Sequence, residues 1–201
     1  MLKIEPVTLA NDRLILKPMT LADVPALAEA VQDGSLWEKK TTITPPPGGM
    51  EAFVMKALDL QTAGSALPFV IVAREADKVV GSTRYMNIDA VNHRVEIGTT
   101  WVSKSWQRSF VNTNAKYLLL RHAFEVLGCN VVELRTHRLN DQSRAAIERL
   151  GAKLDGILRS HMIMPDGHIR DTAVYSILKE EWPEVKAGLE ARLAAYAAAA
   201  R

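Results

Sequence analysis

The stretch from residue 92 to residue 151 alternates strand-like and helix-like segments, and it constrains the fold more than any other part of the chain. A β-rich run at 95–102 is followed by a polar loop at 106–113 and a predicted helix at 114–127. A strand that leads through a short loop into a helix directs unpaired backbone N–H groups at one point, where a phosphate group can bind. A second strand and a second helix follow. The segment therefore predicts an α/β fold with a site for a phosphorylated molecule.

The rest of the chain continues this alternation. Turn signals at 75–78 and 165–168 predict two β-hairpins. The order β-α-α-β-β-β-α-β-α-β-β-α, without a repeat or a linker, predicts one mixed sheet in a single domain over residues 1–201. The remaining predicted elements are strand 13–17, helices 22–32 and 51–62, strands 68–73, 79–86 and 131–136, helix 140–150, strands 156–164 and 169–178, and helix 180–201.

The composition argues against several classes of protein. The net charge of +2 is close to balance, so binding to nucleic acid through phosphate neutralisation is not expected. The single cysteine, Cys129, excludes an internal disulfide framework and a cysteine-based zinc site. The five histidines lack metal-ligand spacing, and no run approaches the roughly 20 apolar residues of a membrane span. We therefore expect a cytoplasmic protein that needs no metal and contacts neither nucleic acid nor membrane.

Several motifs of nucleotide, metal and hydrolytic enzymes are absent, namely G-x-G-x-x-G, G-x-x-x-x-G-K-[ST], H-E-x-x-H and G-x-S-x-G. Other segments form a pattern whose order and spacing are specific: 13–18, 95–98, 116–125, 140–146, 149–152, 167–172 and 181–183. In this pattern the chain resembles the GNAT superfamily of acetyl-CoA-dependent N-acetyltransferases over nearly its whole length. It is most similar to the RimJ/RimL type, which acetylates protein N-termini or small-molecule amines.

The resemblance implies the α/β GNAT fold, a mixed and mostly antiparallel sheet flanked by helices. The strand at 96–102 would splay from the strand at 131–136 and open a cleft for the pantetheine arm of acetyl-CoA. The implied reaction is direct attack of a primary amine on the thioester in a ternary complex, without a metal. The acceptor would be a protein N-terminal α-amine or a small-molecule amine, and an acyl chain longer than acetyl stays open. The resemblance also favours a homodimer.

The resemblance places the coenzyme A contacts in three segments. Loop amides would hold the pyrophosphate, strand amides would stabilise the oxyanion, and the second helix would contact the pantetheine arm. The two arginines among these residues would meet phosphates, or would be ordinary solvated side chains. The implied contacts are Gln107, Arg108, Ser109, Phe110, Val111, Asn112 and Thr113 in the loop, Thr100, Trp101 and Val102 in the strand, and Asn140, Ser143 and Arg144 in the helix.

The loop departs from the family pattern [RQ]-x-x-G-x-[GA]. Gln107 matches, but Phe110 stands at the first glycine and Asn112 at the second small position. Glycine is needed where φ is positive or where a phosphate approaches closely, and asparagine tolerates a left-handed backbone better than most residues. Because the donors are backbone N–H groups, we still expect coenzyme A to bind. The alternative is an ordinary strand-to-helix connection.

Glu96 and Ser143 are the candidate catalytic residues. Glu96 would act as general base on the amine, directly or through water, and burial would raise its pKa toward neutral pH. The family tyrosine that protonates the departing thiolate corresponds to Ile147, so Ser143, one turn earlier on the same helix face, would support the thiolate. The alternatives are a solvent-facing carboxylate for Glu96 and a solvated first-turn residue for Ser143, next to an N-capping Asn140.

A rival interpretation is a CoA-binding regulatory or scaffold module that has lost catalysis. The loop without glycine and the isoleucine in place of the tyrosine both support it, whereas the presence of Glu96 and Ser143 argues against it. Trp101 and Trp106 bracket the loop and would either wall the cleft or pack in the core. We also expect backbone crowding at Gly98 to exclude a larger residue, and the loops 41–49 and 165–168 to form part of the acceptor wall.

Overall fold

The computed structural model describes residues 4–199, and eight strands in this range form one sheet in the order β1-β2-β3-β4-β5-β6-β8-β7. The strands are β1 (Leu9–Ala10), β2 (Leu14–Pro18), β3 (Ala66–Ala73), β4 (Lys78–Asp89), β5 (Arg94–Val102), β6 (Val131–His137), β7 (Lys153–Ile163) and β8 (Ile169–Leu178). The α-helices are α1 (Val24–Gln32), α2 (Met50–Thr62), α3 (Phe110–Arg121), α4 (Asp141–Glu148) and α5 (Trp182–Ala199). The predicted order of elements is confirmed, with the short edge strand β1 added.

The central feature of the sheet is the pairing of β5 with β6, which is parallel, whereas the other neighbouring strands of residues 4–199 pair antiparallel. This pairing lasts for three positions, from Arg94 with Val131 to Glu96 with Glu133. Beyond Glu96 the two strands diverge, so the predicted splay is confirmed. One edge of β5 is therefore left without a strand partner, and its backbone groups face the gap.

A β-bulge in β5 accompanies the divergence. The register between β4 and β5 shifts between Ser82 and Arg84, and Thr99 adopts a left-handed φ of 47°. A bulge bends its strand and increases the local twist, which re-aims the side chains that follow it. Thr100 and Trp101 follow this bulge and line the gap beside β6.

Helices cover both faces of the sheet. Val70, Val72 and Trp101 pack against α1 and α2, on what we call the α1 face. Phe69 and Ile71 belong to the larger core that includes α3 and α5, on the α3 face. β3 is buried on both faces, and for this reason its sequence is a continuous apolar run instead of an alternating one. Within residues 4–199, no helix combines the length and the apolarity that crossing a membrane requires.

α3 begins four residues before its predicted start, and a π-helical turn at His122–Val126 continues it. The polar residues Asn112 and Thr113 suggested a loop, but Ser109 caps the helix and Asn114 is buried in it. The Ser109 hydroxyl accepts a hydrogen bond from the Val111 N–H at 3.3 Å. The Asn114 side-chain amide donates to the Phe110 carbonyl at 3.0 Å. The last predicted helix begins at Trp182, with Pro183 in its first turn, and its end at Arg201 lies outside the described residues.

Candidate active site

Two adjoining cavities occupy the place where β5 and β6 diverge. The inner cavity, of about 130 Å³, lies between the two strands and is closed by α3 and α4. The outer cleft, of about 830 Å³, reaches from there to the start of α3 and to the segment between α1 and α2. Thr100, Asn112 and Ser143 line both cavities. A long, narrow molecule can therefore pass from the α3 N-terminus into the gap between the strands.

The N-terminus of α3 presents free donors to the outer cleft. The backbone N–H groups of Arg108, Ser109 and Phe110 have no protein acceptor among residues 4–199. Arg108, Ser109, Asn112 and Thr113 line the cleft at this point. Free N–H groups and the positive end of a helix dipole together favour an anion, so the predicted phosphate site has the geometry it needs.

Phe110 does not obstruct this site. Its side chain is 8% exposed, and its ring packs edge-on against Trp106 and beneath the Arg13 guanidinium, which lies 3.8 Å from the ring centroid. Phe110 and Asn112 both lie in the first turn of α3. The left-handed residue of the loop is Arg108, with a φ of 59°. The family pattern suggested a need for small residues at positions 110 and 112, but the unusual backbone conformation falls on position 108.

The end of β5 forms one wall of the cleft. Thr100, Trp101 and Val102 line it, and Trp106 lies at the same wall. The sequence left open whether the two tryptophans wall the cleft or pack in the core. In the structure both tryptophans do both. The Thr100 hydroxyl is paired with the Thr83 hydroxyl at 2.8 Å. The side chain of Val111, in contrast, is fully buried in the core, so only its backbone is available to the site.

α4 forms the opposite wall. Asn140 is its N-cap, with a side-chain oxygen that accepts from the Ser143 N–H at 3.1 Å. Asn140 lines the outer cleft and Ser143 lines both cavities, while Ile147 lines the inner one. The N-cap alternative for Asn140 is therefore correct, and it places Ser143 beside the gap. Ile147 occupies the position of the family tyrosine, and Ser143 is the hydroxyl of this wall that is closest to it in sequence.

The cationic residues of the cleft differ from those predicted. Arg108 lines the outer cleft, but Arg144 lines neither cavity. The Arg144 guanidinium donates to the Tyr175 hydroxyl at 2.9 Å, which turns it toward β8. Three other cations line the cleft that the sequence did not single out: Lys39, Arg149 and Arg192.

Glu96 is buried, with 5% of its surface exposed, so the solvent-facing alternative is wrong. Its Oε2 accepts a hydrogen bond from the Asn87 amide at 2.7 Å and lies 3.4 Å from Arg135 Nε. Burial raises the pKa of Glu96, opposed by the Asn87 hydrogen bond and by the charge of Arg135. The carboxylate lies just behind Gly98 and Arg135, which line the inner cavity.

Asn87 owes its position to a left-handed backbone. Its φ is 48°, in an irregular stretch of β4 where the register with β5 shifts between Met86 and Asp89. This conformation, which asparagine accepts more readily than most residues, brings its amide to Glu96. The sequence analysis did not single out Asn87. The only signal in the sequence was an asparagine, which accepts a left-handed backbone, directly after a predicted strand.

Lys116 is a second missed residue. It projects from α3 into the inner cavity, is 6% exposed, and donates from Nζ to the Thr100 hydroxyl at 2.9 Å. Burial lowers the pKa of Lys116 to about 7, partly opposed by the charge of Glu96. At neutral pH this amine is therefore present in both charged and neutral forms, which suits proton transfer. A lysine within a helix usually indicates a solvated face, so its sequence position gave no signal.

Gly98 is crowded by side chains, not by the backbone as expected. A Cβ at this position would lie 2.6 Å from Met86 Sδ and 3.1 Å from Glu96 Oε1. We expect Gly98→Leu to displace both side chains and to lower kcat by about tenfold or more, since a misplacement of about 1 Å at a catalytic group can cost about 100-fold in rate. Steady-state kinetics measures the effect, with Gly156→Leu as control because nothing lies within 4 Å of a Cβ there. An unchanged kcat in Gly98→Leu would show that the crowding is irrelevant.

Comparison with known proteins agrees with this geometry. A family model described as an acetyltransferase (GNAT) domain matches residues 13–153. The "Uncharacterized N-acetyltransferase p20" of Bacillus licheniformis is 29% identical over 177 residues, which are 87% of this chain and 98% of that protein. The "Putative ribosomal N-acetyltransferase YdaF" of Bacillus subtilis (strain 168) is 36% identical over 96 residues, 48% of this chain and 51% of that protein.

A solved structure of another acetyltransferase also has the same fold as this chain. The crystal structure of a GCN5-related N-acetyltransferase from Brucella melitensis superposes with a TM-score of 0.84 at 29% identity, over 95% of this chain and 87% of that chain. The matching family model spans most of the present chain and includes α3, the strands on both sides of the gap and α4. The chain therefore belongs to the GNAT acetyltransferase family and is an N-acetyltransferase.

Proposed function

We propose that this protein transfers an acetyl group from acetyl-CoA to a primary amine by direct attack in a ternary complex. The observation that carries the proposal is the continuous path from the free N–H groups of α3, through the outer cleft, to the inner cavity beside Glu96. A coenzyme A molecule has a phosphorylated end and a narrow thiol arm, and this path offers an anion site followed by a narrow gap. In this proposal the reaction proceeds without a metal ion.

The donor is held at its two ends. Amides of the α3 N-terminus bind the pyrophosphate, and the cations of the outer cleft, Lys39, Arg108, Arg149 and Arg192, neutralise the phosphates. The pantetheine arm runs between β5 and α4, past Asn140 and Ser143. Strand N–H groups near Thr100 to Val102 stabilise the oxyanion of the tetrahedral intermediate.

The acceptor amine approaches from the Glu96 side of the gap. Glu96, held by Asn87, takes the proton that the nitrogen loses as the C–N bond forms. An α-amino group has an ordinary pKa near 8, so about a tenth of it is already neutral at pH 7, whereas a lysine amine is almost wholly charged. One buried carboxylate is therefore a sufficient base for an N-terminus.

The departing thiolate needs a proton or a hydrogen bond, and Ile147 supplies neither. In our proposal the Lys116 ammonium transfers a proton to the sulfur as the C–S bond breaks, and the Ser143 hydroxyl donates a hydrogen bond to it. Lys116 regains its proton from solvent before the next turnover. Both side chains line the inner cavity, where the thioester would lie.

The acceptor that we favour is a protein N-terminal α-amine, in the manner of the RimJ/RimL type. The name of the relative from B. subtilis, which refers to ribosomal N-acetylation, supports this choice. A small-molecule amine is the alternative. The cytoplasmic location and the homodimer expected from the sequence stay predictions. The preference for an acetyl group over a longer acyl group is also a prediction.

Release of free thiol from acetyl-CoA tests the proposed function. A panel of N-terminal peptides and small amines is offered to the protein, and we expect thiol release with at least one α-amine together with a mass increase of the acceptor. The rival, a CoA-binding module without catalysis, predicts tight binding of coenzyme A and no turnover across the whole panel. That result would overturn the enzymatic proposal and leave the binding proposal intact.

A further inference from the structure

Arg84 is a buried cation without a counterion. Its side chain is 6% exposed, and it makes neither a hydrogen bond nor a salt bridge within residues 4–199. The guanidinium carbon lies 5.0 Å from the centroid of the Phe53 ring on α2. Burial lowers the pKa of Arg84 to about 10, which still leaves it charged at neutral pH, and no carboxylate opposes that effect. Buried charges are normally paired, so this one requires a partner.

Trp101 provides a second donor without a partner. Its indole Nε1 is fully enclosed and makes no hydrogen bond. Among residues 4–199 the other side-chain polar atoms of this kind are Arg13 Nη1 and Gln61 Oε1. The Arg84 guanidinium, which also lacks a partner, is not among the enclosed atoms and therefore keeps some contact with solvent at its tip.

The two donors lie on the same face of the sheet. Trp101 pairs with Ser82 across β4 and β5, and Arg84 is two residues further along β4, where it pairs with Gly98. Residues two apart on a strand and residues paired across strands share a face, and diagonal neighbours lie about 7–8 Å apart. Trp101 packs with α1 and α2, and Arg84 contacts α2, so this is the α1 face.

The acceptor side of the site lies on this same face. A Cβ on Gly98 would point at Glu96 Oε1, which places Glu96 on the α1 face beside Gly98. Gly98 adds no side chain between Arg84 and Glu96, and the group that lies over it is the flexible thioether of Met86, 2.6 Å from the place of a Gly98 Cβ. With Met86 moved aside, an amine that reaches Glu96 brings its neighbouring groups toward Arg84 and Trp101.

Resting on the proposed function, we propose that Arg84 and the Trp101 indole N–H bind a carboxylate of the acceptor, so that the substrate is an amine with a carboxylate a few bonds away. A guanidinium offers a planar pair of N–H donors that matches a carboxylate, and the indole adds a third donor. Such a carboxylate belongs either to a free amino acid or short peptide, or to an acidic side chain next to a protein N-terminus.

Matched acceptors separate these sources. One pair is the dipeptide Ala-Ala and its C-terminal amide, and the other is an amidated decapeptide that begins Ala-Glu and its Ala-Gln counterpart. We expect the carboxylate member of at least one pair to have a kcat/KM higher by about tenfold or more, the usual contribution of a hydrogen bond to a charged group. Preference within the first pair indicates a small acceptor, and preference within the second indicates a protein N-terminus.

Arg84→Met should remove the preference, and Arg84→Lys should retain part of it. Arg159→Met, on an exposed residue of β7, is the control and should keep the full preference. The melting temperature provides a separate readout: loss of an unpaired buried charge should leave it unchanged or raise it. A clear fall in melting temperature with an unchanged preference would mean that Arg84 only packs on Phe53, and would overturn the inference.

Failure of the proposed function is distinguishable from failure of this inference. Turnover of both members of each pair at equal rates would refute the carboxylate site and leave the acetyltransferase proposal standing. If no acceptor is turned over, titration of the CoA-loaded protein with the same pairs still decides: tighter binding of the carboxylate member that disappears in Arg84→Met supports the site, and equal or absent binding refutes it.

Discussion

Glu96→Gln should lower kcat for an α-amine acceptor by about 100-fold or more, since general base catalysis contributes about 10²–10⁴ in rate. Glutamine keeps the shape and can still hydrogen bond to Asn87, but it cannot take the proton of the attacking amine. Coenzyme A affinity should stay within a few-fold, because Glu96 lines neither cavity directly. Steady-state kinetics and calorimetric titration measure the two effects separately.

The pH profile distinguishes a base from a merely structural carboxylate. Burial raises the pKa of Glu96, and a general base works only when deprotonated, so activity of the wild type is lost as pH falls through that raised pKa. Glu96→Gln should lack this acidic limb. The matched control is Glu133→Gln on β6, which removes an equal charge from beside Arg135 and should keep most of the activity. Retention of both rate and acidic limb in Glu96→Gln would remove Glu96 from the mechanism.

Lys116→Met should produce the second largest loss, of about 100-fold in kcat, because protonation of the thiolate then falls to solvent. The KM for acetyl-CoA should change little. A general acid works only when protonated, so the pKa of about 7 predicts that wild-type kcat declines as pH rises above neutral. The charged and polar groups that face Lys116 are Glu96 and Thr100 of β5, Arg135 of β6 and Ser143 of α4. Lys116→Met should lose this alkaline decline.

Stability provides an independent check on Lys116. Its pKa is about 7 in the folded protein against an ordinary 10.5, so the unfolded chain binds more protons between these values. The cost of burying the charge is therefore full below pH 7 and disappears as pH rises toward 10.5. The melting temperature of the wild type should rise relative to that of Lys116→Met over this range, while the exposed control Lys56→Met should track the wild type. Acetylation found on Lys116 by mass spectrometry during turnover would contradict the proton-donor role.

The order of elements could be predicted from the sequence because it depends on local patterns, whereas the splay between β5 and β6 was implied by the resemblance to the GNAT family. Alternating apolar runs, the hairpin turns and the strand-loop-helix segment each leave a readable period or turn signal. The start of α3 could not be read in this way. Residues 110–113 were assigned to a polar loop, but they are helical. Ser109 caps the helix through a local contact, and Asn114 is buried in it, which depends on tertiary packing.

The residues of the site divide along the same line. Glu96, Ser143 and Asn140 were predicted because they occupy positions of a recognised pattern. Lys116 and Arg84 were not singled out because what distinguishes them is burial, and burial depends on what packs above the strand or helix. Arg144 was misplaced for the opposite reason: its contact with Tyr175 on a distant strand outweighs its position at a helix start.

Calorimetric titration of the folded protein with coenzyme A tests the central claim most directly. We expect binding at one site per chain, weakened in high salt because the outer cleft presents several cations to the phosphates, and little changed by Phe110→Gly because that ring packs away from the cleft. Absence of any coenzyme A binding by the well-folded protein would contradict the account, since every proposed step depends on a thioester donor held at the start of α3.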